Sequence, residues 1–287
     1  MRTLTRMTAD HVTFGVELET VMPVNTLQVG GYHSGRLVTA APLFNGTPWT
    51  AERDGSITAP TGFMPCEFVS PVLSGPAGVA NLVAMLEWIR TMGGQVNPSC
   101  GCHIHIGLAS LLGREASAAA KAFYVRKLAG VVNINAAALY AQTGTRRDLS
   151  HYTAPLTDQI RETLEEASRE GSTDTYGYRM DRYRVLNVTN VNTRGTVEFR
   201  AFAGTLSTEK VLHHLWTCLF MTRFAQELTR VPWTGHGWAS LKGGNGEKAL
   251  RGLHRKMGLH CLVGDMANSR RAMKAEAVRL ARKFDER

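Results

Sequence analysis

Two glutamates separated by one residue, Glu17 and Glu19 in Gly15-Val16-Glu17-Leu18-Glu19, are the first residues along the chain whose spacing could do chemistry. Alternate side chains of a strand share a face, so both carboxylates point one way and Leu18 the other. Carboxylates so placed repel each other unless solvated or bridged by a cation, and hard divalent cations such as Mg²⁺ favour oxygen ligands. A solvent-facing stripe of an antiparallel sheet would show the same alternation. Cys100-Gly101-Cys102-His103-Ile104-His105 repeats the pattern with imidazoles. His103 and His105 share a face and could ligate a metal or donate to phosphate. Zinc suits the segment less well, because Cys102 falls with Ile104 on the opposite face. No second, distant cysteine pair completes a tetrahedral cage.

Glu67, in Glu67-Phe68-Val69-Ser70-Pro71, stands in a short apolar strand, where a carboxylate is either on a solvated edge or holding something. Asp54-Gly55-Ser56 before it is turn chemistry. In Thr196-Val197-Glu198-Phe199-Arg200, Glu198 and Arg200 share a face. Exposed, the two would form a salt bridge of little worth. In a nucleotide site the Glu holds a metal and the planar Arg fork clamps phosphate oxygens. Glu17, Glu19, Glu67, His103, His105, Glu198 and Arg200 are each embedded in apolar neighbours and make little sense as a core. Carboxylates gathered on one sheet face are strained without cations, and a concave site for a metal-bound polyphosphate accounts for all seven.

The elements that must position these residues follow from periodicity. Residues 12–22 alternate as a strand, 23–62 form loops with short strands, and 66–69 form another short strand. A helix over 77–92 carries Val79, Leu82, Val83, Leu86 and Ile89 on one face and stops at Gly93-Gly94. A strand over 103–108 follows, then a long Ala-rich helix or helix pair over 115–142 and a charged helix over 158–169. Strands over 183–191 and 196–202 flank Asn192-Thr193-Arg194-Gly195, a hairpin connection. Ser207 caps a helix to Arg230, residues 232–246 form a Gly- and Trp-rich loop, and basic helices over 247–257 and 266–284 complete the order. The expected fold class is α+β, a mostly antiparallel sheet with helices packed on one face.

The 287 residues suit a catalytic domain over 1–241 and a basic helical extension over 242–287, packed on or following it. From 242 to 287, twelve Lys or Arg stand against five Asp or Glu; the preceding residues supply only +2 of the net +9. That extension fits either an anionic partner, nucleic acid included, or a solvated basic surface. Five scattered cysteines suggest reduced thiols. The opening MRTLTRMTADH offers no apolar signal core, and apolar runs such as 215–221 are too short to span a bilayer. The expectation is a cytoplasmic protein without a membrane role.

The ordered set FGVELE, Asp54-Gly55-Ser56, EFVSPVLSG, CGCHIHIG, RVLN and TVEFRAFAGT, from about Phe14 to Leu206, resembles the amidoligase family, relatives of glutamine synthetase and glutamate–cysteine ligase. The resemblance implies a glutamine-synthetase-like curved sheet with helices on its outer face and a concave active site. It implies ATP-dependent joining of a carboxylate to an amine through an acyl phosphate, with Mg²⁺ or Mn²⁺. Glu17, Glu19, Glu67, His103 and Glu198 would be metal ligands. Arg200 would face the transferred phosphoryl group, with Glu67 and His105 also catalytic. Arg184, Asn187 and His105 would contact nucleotide or substrate. Glutamine synthetase builds its sites between subunits, so a homo-oligomer stays open. One departure is that no second acidic ligand lies near Glu67 at the spacing of glutamine synthetase. A metal-dependent amide or phosphoester hydrolase could use the same ligands, and a nucleic-acid-associated protein would act through residues 242–287.

Overall fold

The computed structural model describes residues 12–32, 34–233, 245–257 and 267–287. Its strands are β1 (Phe14–Pro23), β2 (Arg36–Val38), β3 (Trp49–Glu52), β4 (Phe63–Val69), β5 (Gly101–Gly107), β6 (Leu186–Asn187) and β7 (Thr196–Ala203). They form one open, curved sheet in the order β2-β3-β4-β1-β5-β7-β6, and every neighbouring pair is antiparallel. The helices are α1 (Gly75–Thr91), α2 (Leu108–Leu112), α3 (Ala118–Ile134), α4 (Ala136–Ala141), α5 (Asp158–Glu170), α6 (Tyr176–Arg179), α7 (Thr208–Glu227), α8 (Gly246–Lys256) and α9 (Ala267–Asp285). This is the α+β class that the alternating segments imply.

Strand period divides the sheet into two chemical faces. Phe14, Val16 and Leu18 of β1 lie opposite Ile106, Ile104 and Cys102 of β5, and Leu18 also opposes Phe68 of β4. All are buried in the core, each large side chain contributing roughly 1.5–3 kcal/mol. Helices cover this face: Trp88 of α1 meets Phe68 edge-on at 6.0 Å, and His214 of α7 stacks on Phe202 at 4.2 Å. The residues between them in sequence project from the other face.

Caps fix the helices. Ser207 Oγ accepts from Lys210 N–H at the start of α7, as its position in the sequence suggests. Thr157 caps α5, which ends at Gly171 with φ +67. The long Ala-rich helix is in fact two, α3 and α4. Asn135 breaks it, with its backbone out of helical geometry and its Nδ2 donating to the Val131 carbonyl at 2.7 Å.

The strand expected over 183–191 is a correction: only Leu186–Asn187 pair with β7. Asn187 Oδ1 accepts from both the N–H and hydroxyl of Thr189, at 2.9 and 2.8 Å, and turns the chain into a 3₁₀ turn over Thr189–Val191. The connection to β7 therefore spans residues 188–195 rather than a tight four-residue turn. At the other end of the chain, α8 and α9 pack against α4 and α7, and the Asp285 carboxylate accepts from the N–H groups of Gly246 and Glu247. The loop expected over 232–246 lies mostly outside the described residues. Among the described residues no helix is long and apolar enough to cross a membrane.

Candidate active site

Register builds the site on the face away from the helices. Residues directly opposed on neighbouring strands present side chains to the same side. Glu19 of β1 opposes Glu67 of β4, which also opposes Glu52 of β3. Glu17 opposes His103 of β5, and His105 opposes Glu198 of β7, which in turn opposes Asn187 of β6. Six strands thus deliver one continuous polar row. A bulge interrupts β7: Cys102 pairs with Phe202 but Ile104 with Phe199, which leaves Arg200 and Ala201 opposite His103.

The groups interlock. His103 Nδ1 lies 3.1 Å from Glu17 Oε2 and 3.6 Å from Glu198 Oε1, and its Nε2 lies 3.4 Å from Glu19 Oε1. His105 Nε2 lies 3.1 Å from Glu17 Oε1, and its Nδ1 lies 3.3 Å from Thr196 Oγ1. Asn187 Nδ2 donates to Glu198 Oε2 at 2.7 Å, and Arg200 donates to Glu198 Oε1. Gly101 N–H donates to Glu19 Oε2 at 2.6 Å. Of these groups Glu17, His103, Asn187, Glu198 and Arg200 line a cleft of ≈ 180 Å³, whose walls also include Asp54 and Glu67, with Tyr32 and Arg182. Arg182 lies over the Tyr183 ring, 4.9 Å from its centroid.

Burial and mutual repulsion set the protonation. Burial pushes the Glu67 carboxyl up to about 10, with Glu17, Glu19, Asp54 and Glu52 adding to the rise. Burial also pushes Glu17 upward, but hydrogen bonds from His103 and His105 override it and hold Glu17 well below the carboxylate range. His105 is raised: burial opposes its charge, but Glu17 more than compensates. Buried Cys102 is pushed up to about 12, an inert thiol packed on the core face.

Of the residues expected from the sequence, the structure brings Glu17, Glu19, Glu67, His103, His105, Glu198, Arg200 and Asn187 together. Arg184 stays outside the cleft lining. It donates to the Pro155 carbonyl at 3.2 Å and pairs with Asp181, because the chain at 183–185 bridges to residue 154. Four contributors escaped sequence reasoning. Asp54 lies in a turn motif that belongs to the family-like set, but its sequence context gives it no ligand role. Asn190 and Arg194 lie in the connection taken for a hairpin and strand end. Arg147 comes from a short 3₁₀ turn, and its charge feels Glu19 and Arg200; nothing in its local sequence marks it.

The sequence model of the family described as "Putative amidoligase enzyme" matches residues 10–222. The chain belongs to that family. No curated protein matches it. Among solved structures, the crystal structure of a novel glutamine synthase homolog aligns at 15% identity with a TM-score of 0.42, covering 94% of this chain and 67% of that one.

This amidoligase offers three sets of candidate metal ligands, each with its donor atoms within 4.8 Å of one another: Glu17, His105 and Glu198; Glu17, Glu67 and His103; and Glu19, Asp54 and Glu67. The last is all oxygen, as Mg²⁺ favours; the two with an imidazole also suit Mn²⁺. Asp54 places a second carboxylate beside Glu67, which the linear spacing does not reveal. The upward push on Glu67 fits the same reading, since a divalent cation would relieve the repulsion that keeps its proton on. Among the described residues no cysteine joins such a set.

Proposed function

We propose that this amidoligase joins a carboxylate to an amine at the expense of ATP, through an acyl phosphate. The observation that carries the reading is the single row of Glu19, Glu17, His103 and Glu198 with Arg200 donating to its last member. A carboxylate is a poor acyl donor because its leaving group would be oxide; phosphorylation gives it a good one. The first step sets an anion against a polyanion, and Arg200, with cations held by the acidic lining, would offset that repulsion. Divalent cations held by the three ligand sets would supply charge neutralisation at the phosphates.

The chain's own residues do the rest. Arg200 is positioned for phosphate oxygens: Glu198 and, weakly, the Tyr152 carbonyl at 3.5 Å orient its fork beside the ligands. Asn187 and Asn190 both donate to Glu198 Oε2 and so hold that carboxylate in one rotamer. Glu17 orients both imidazoles. On this reading the machinery belongs to a domain over residues 1–241, and the basic extension over 242–287 contributes α8 and α9.

The test is phosphate release from ATP by the full chain with Mg²⁺ or Mn²⁺, across panels of carboxylates and amines. The reading requires release that depends on ATP, metal and both organic substrates. Amide or phosphoester cleavage in the absence of ATP overturns it in favour of a hydrolase.

A further inference from the structure

A second cleft, of ≈ 190 Å³, adjoins the first and shares Glu17, Val69 and Arg194 with it. Glu17 and His105 line it, bonded to each other at 3.1 Å. Arg194 also lines it; its guanidinium is half exposed, with Nη1 3.8 Å from Glu17 Oε1. Phe14, Val69, Pro71 and Val72 form an apolar wall, the last with 72% of its surface exposed, and Thr13, Ser70 and Thr196 add hydroxyls to the lining. Gly15 also lines the cleft. A Cβ there would meet Ser70 Oγ at 3.6 Å and His105 Cβ at 3.7 Å, which is ordinary contact. The backbone therefore does not demand glycine, and its lack of a side chain leaves room beside His105.

We propose that this second cleft binds the amine substrate, and that the amine is a free α-amino acid with an apolar side chain. Such a molecule carries an ammonium, a carboxylate and a hydrocarbon group on one carbon. The cleft presents a partly buried carboxylate, a half-exposed guanidinium and an apolar wall around one space. Arg194 takes the carboxylate through its fork, Glu17 faces the nitrogen, and Val72 and Pro71 face the side chain. The volume suits a ligand on the order of ten non-hydrogen atoms, the size of leucine. Glu17 borders both clefts, so a nitrogen beside it adjoins the cleft of the acids. In the transfer the nitrogen lone pair forms the C–N bond while the C–O bond to phosphate breaks and phosphate leaves with that electron pair. Of the two protons the ammonium gives up, one ends on phosphate and one in solvent.

The inference rests on the ligase reading, and the test separates the two. L-Leucine, L-aspartate, L-leucinamide and the dipeptide Leu-Gly are titrated calorimetrically into the full chain with Mg²⁺ and no ATP. L-Leucine binds saturably; the other three bind about tenfold more weakly or worse, for want of an apolar side chain or of a free α-carboxylate. Val72→Asp weakens leucine about tenfold and improves L-lysine, an exchange of specificity that general damage does not produce. Gly15→Ala, whose methyl has room, also weakens leucine, and Arg194→Leu erases the preference for leucine over leucinamide. Absence of saturable leucine binding up to about 10 mM overturns the proposal, as does equal binding of leucine and aspartate or of leucine and Leu-Gly. Leucine binding without any ATP-dependent turnover keeps this site and removes the ligase. Turnover on another amine without leucine binding removes this proposal alone.

Discussion

Glu198 touches more of the site than any single motif suggests: it accepts from Asn187, Asn190 and Arg200 while lying 3.6 Å from His103. Glu198→Gln keeps the shape and removes the charge that both a cation and Arg200 need. Phosphate release should fall about 100-fold or more, with the unfolding midpoint little changed. Arg200→Lys should be nearly as damaging, because an ammonium cannot reproduce the planar fork. Full activity in either variant contradicts the assignment. Glu67 gives a prediction with a sign. Its folded pKa is raised above the ordinary 4.5, so its proton stabilises the metal-free fold fully below that value. The contribution is lost as pH climbs toward the folded pKa, because the unfolded chain has already ionised. Metal-free protein should therefore lose stability between pH 5 and 8 by a few kcal/mol more than Glu67→Gln does, in urea titrations at the two pH values. Adding Mg²⁺ or Mn²⁺ should stabilise wild type at pH 8 more than the variant, which keeps only the Glu17, His105 and Glu198 set.

At the scale of elements, the site is a consequence of β1 having β4 and β5 as neighbours, each strand contributing alternate side chains to one face. Gly101, at the start of β5, shows how tight that arrangement is. A Cβ there would come 2.9 Å from His103 Nε2, 3.1 Å from Arg147 Nη2 and 3.3 Å from Glu19 Oε1. All three are ends of side chains, which can move without unfolding the sheet. Gly101→Ala should thus shift the unfolding midpoint by only a few degrees while weakening metal binding about tenfold, readable by calorimetric titration with Mn²⁺. The same strands explain what the sequence could reveal. Period-two spacing exposed Glu17 with Glu19, His103 with His105 and Glu198 with Arg200, because each pair lies within one strand. Their order along the chain even matched a family. Pairing between strands is not local, so the row from Glu52 to Asn187 was invisible, as was the bulge that sets Arg200 opposite His103. Asp54 needed the turn at Gly55 to bring it to Glu19 and Glu67. Asn187 misled in the other direction: its side chain ended a strand that the β-branched residues around it favour.

On the scale of the whole molecule, the basic extension is fastened to the catalytic layer by polar groups as well as apolar ones. Part of its charge is neutralised internally, since Glu247 pairs with Arg251 and Arg282, and Glu276 with Arg279 and with Lys210 of α7. Beneath these pairs lies a buried knot. Gln142 Oε1 accepts from His213 Nδ1 at 2.7 Å and His214 Nδ1 at 3.0 Å, and His213 Nε2 meets His254 Nε2 of α8 at 2.8 Å. Since Gln142 fixes the His213 proton on Nδ1, His254 must donate from Nε2 as a neutral ring. Burial holds its pKa down at about 4, helped by Lys274 and Arg251. A histidine depressed in the folded state contributes fully above the unfolded value near 6.5, and that contribution is lost as pH falls toward the folded pKa. At pH 5 the loss is about 2 kcal/mol for His254 alone. His254→Gln retains a donor toward His213 and cannot take up the proton. Urea unfolding at pH 7 and pH 5 should show wild type losing about 2 kcal/mol more than the variant over that interval. Equal losses would mean that the extension is not held through this histidine, which leaves the Glu276–Lys210 pair and apolar packing by Leu250, Leu253 and Ala281 to hold it.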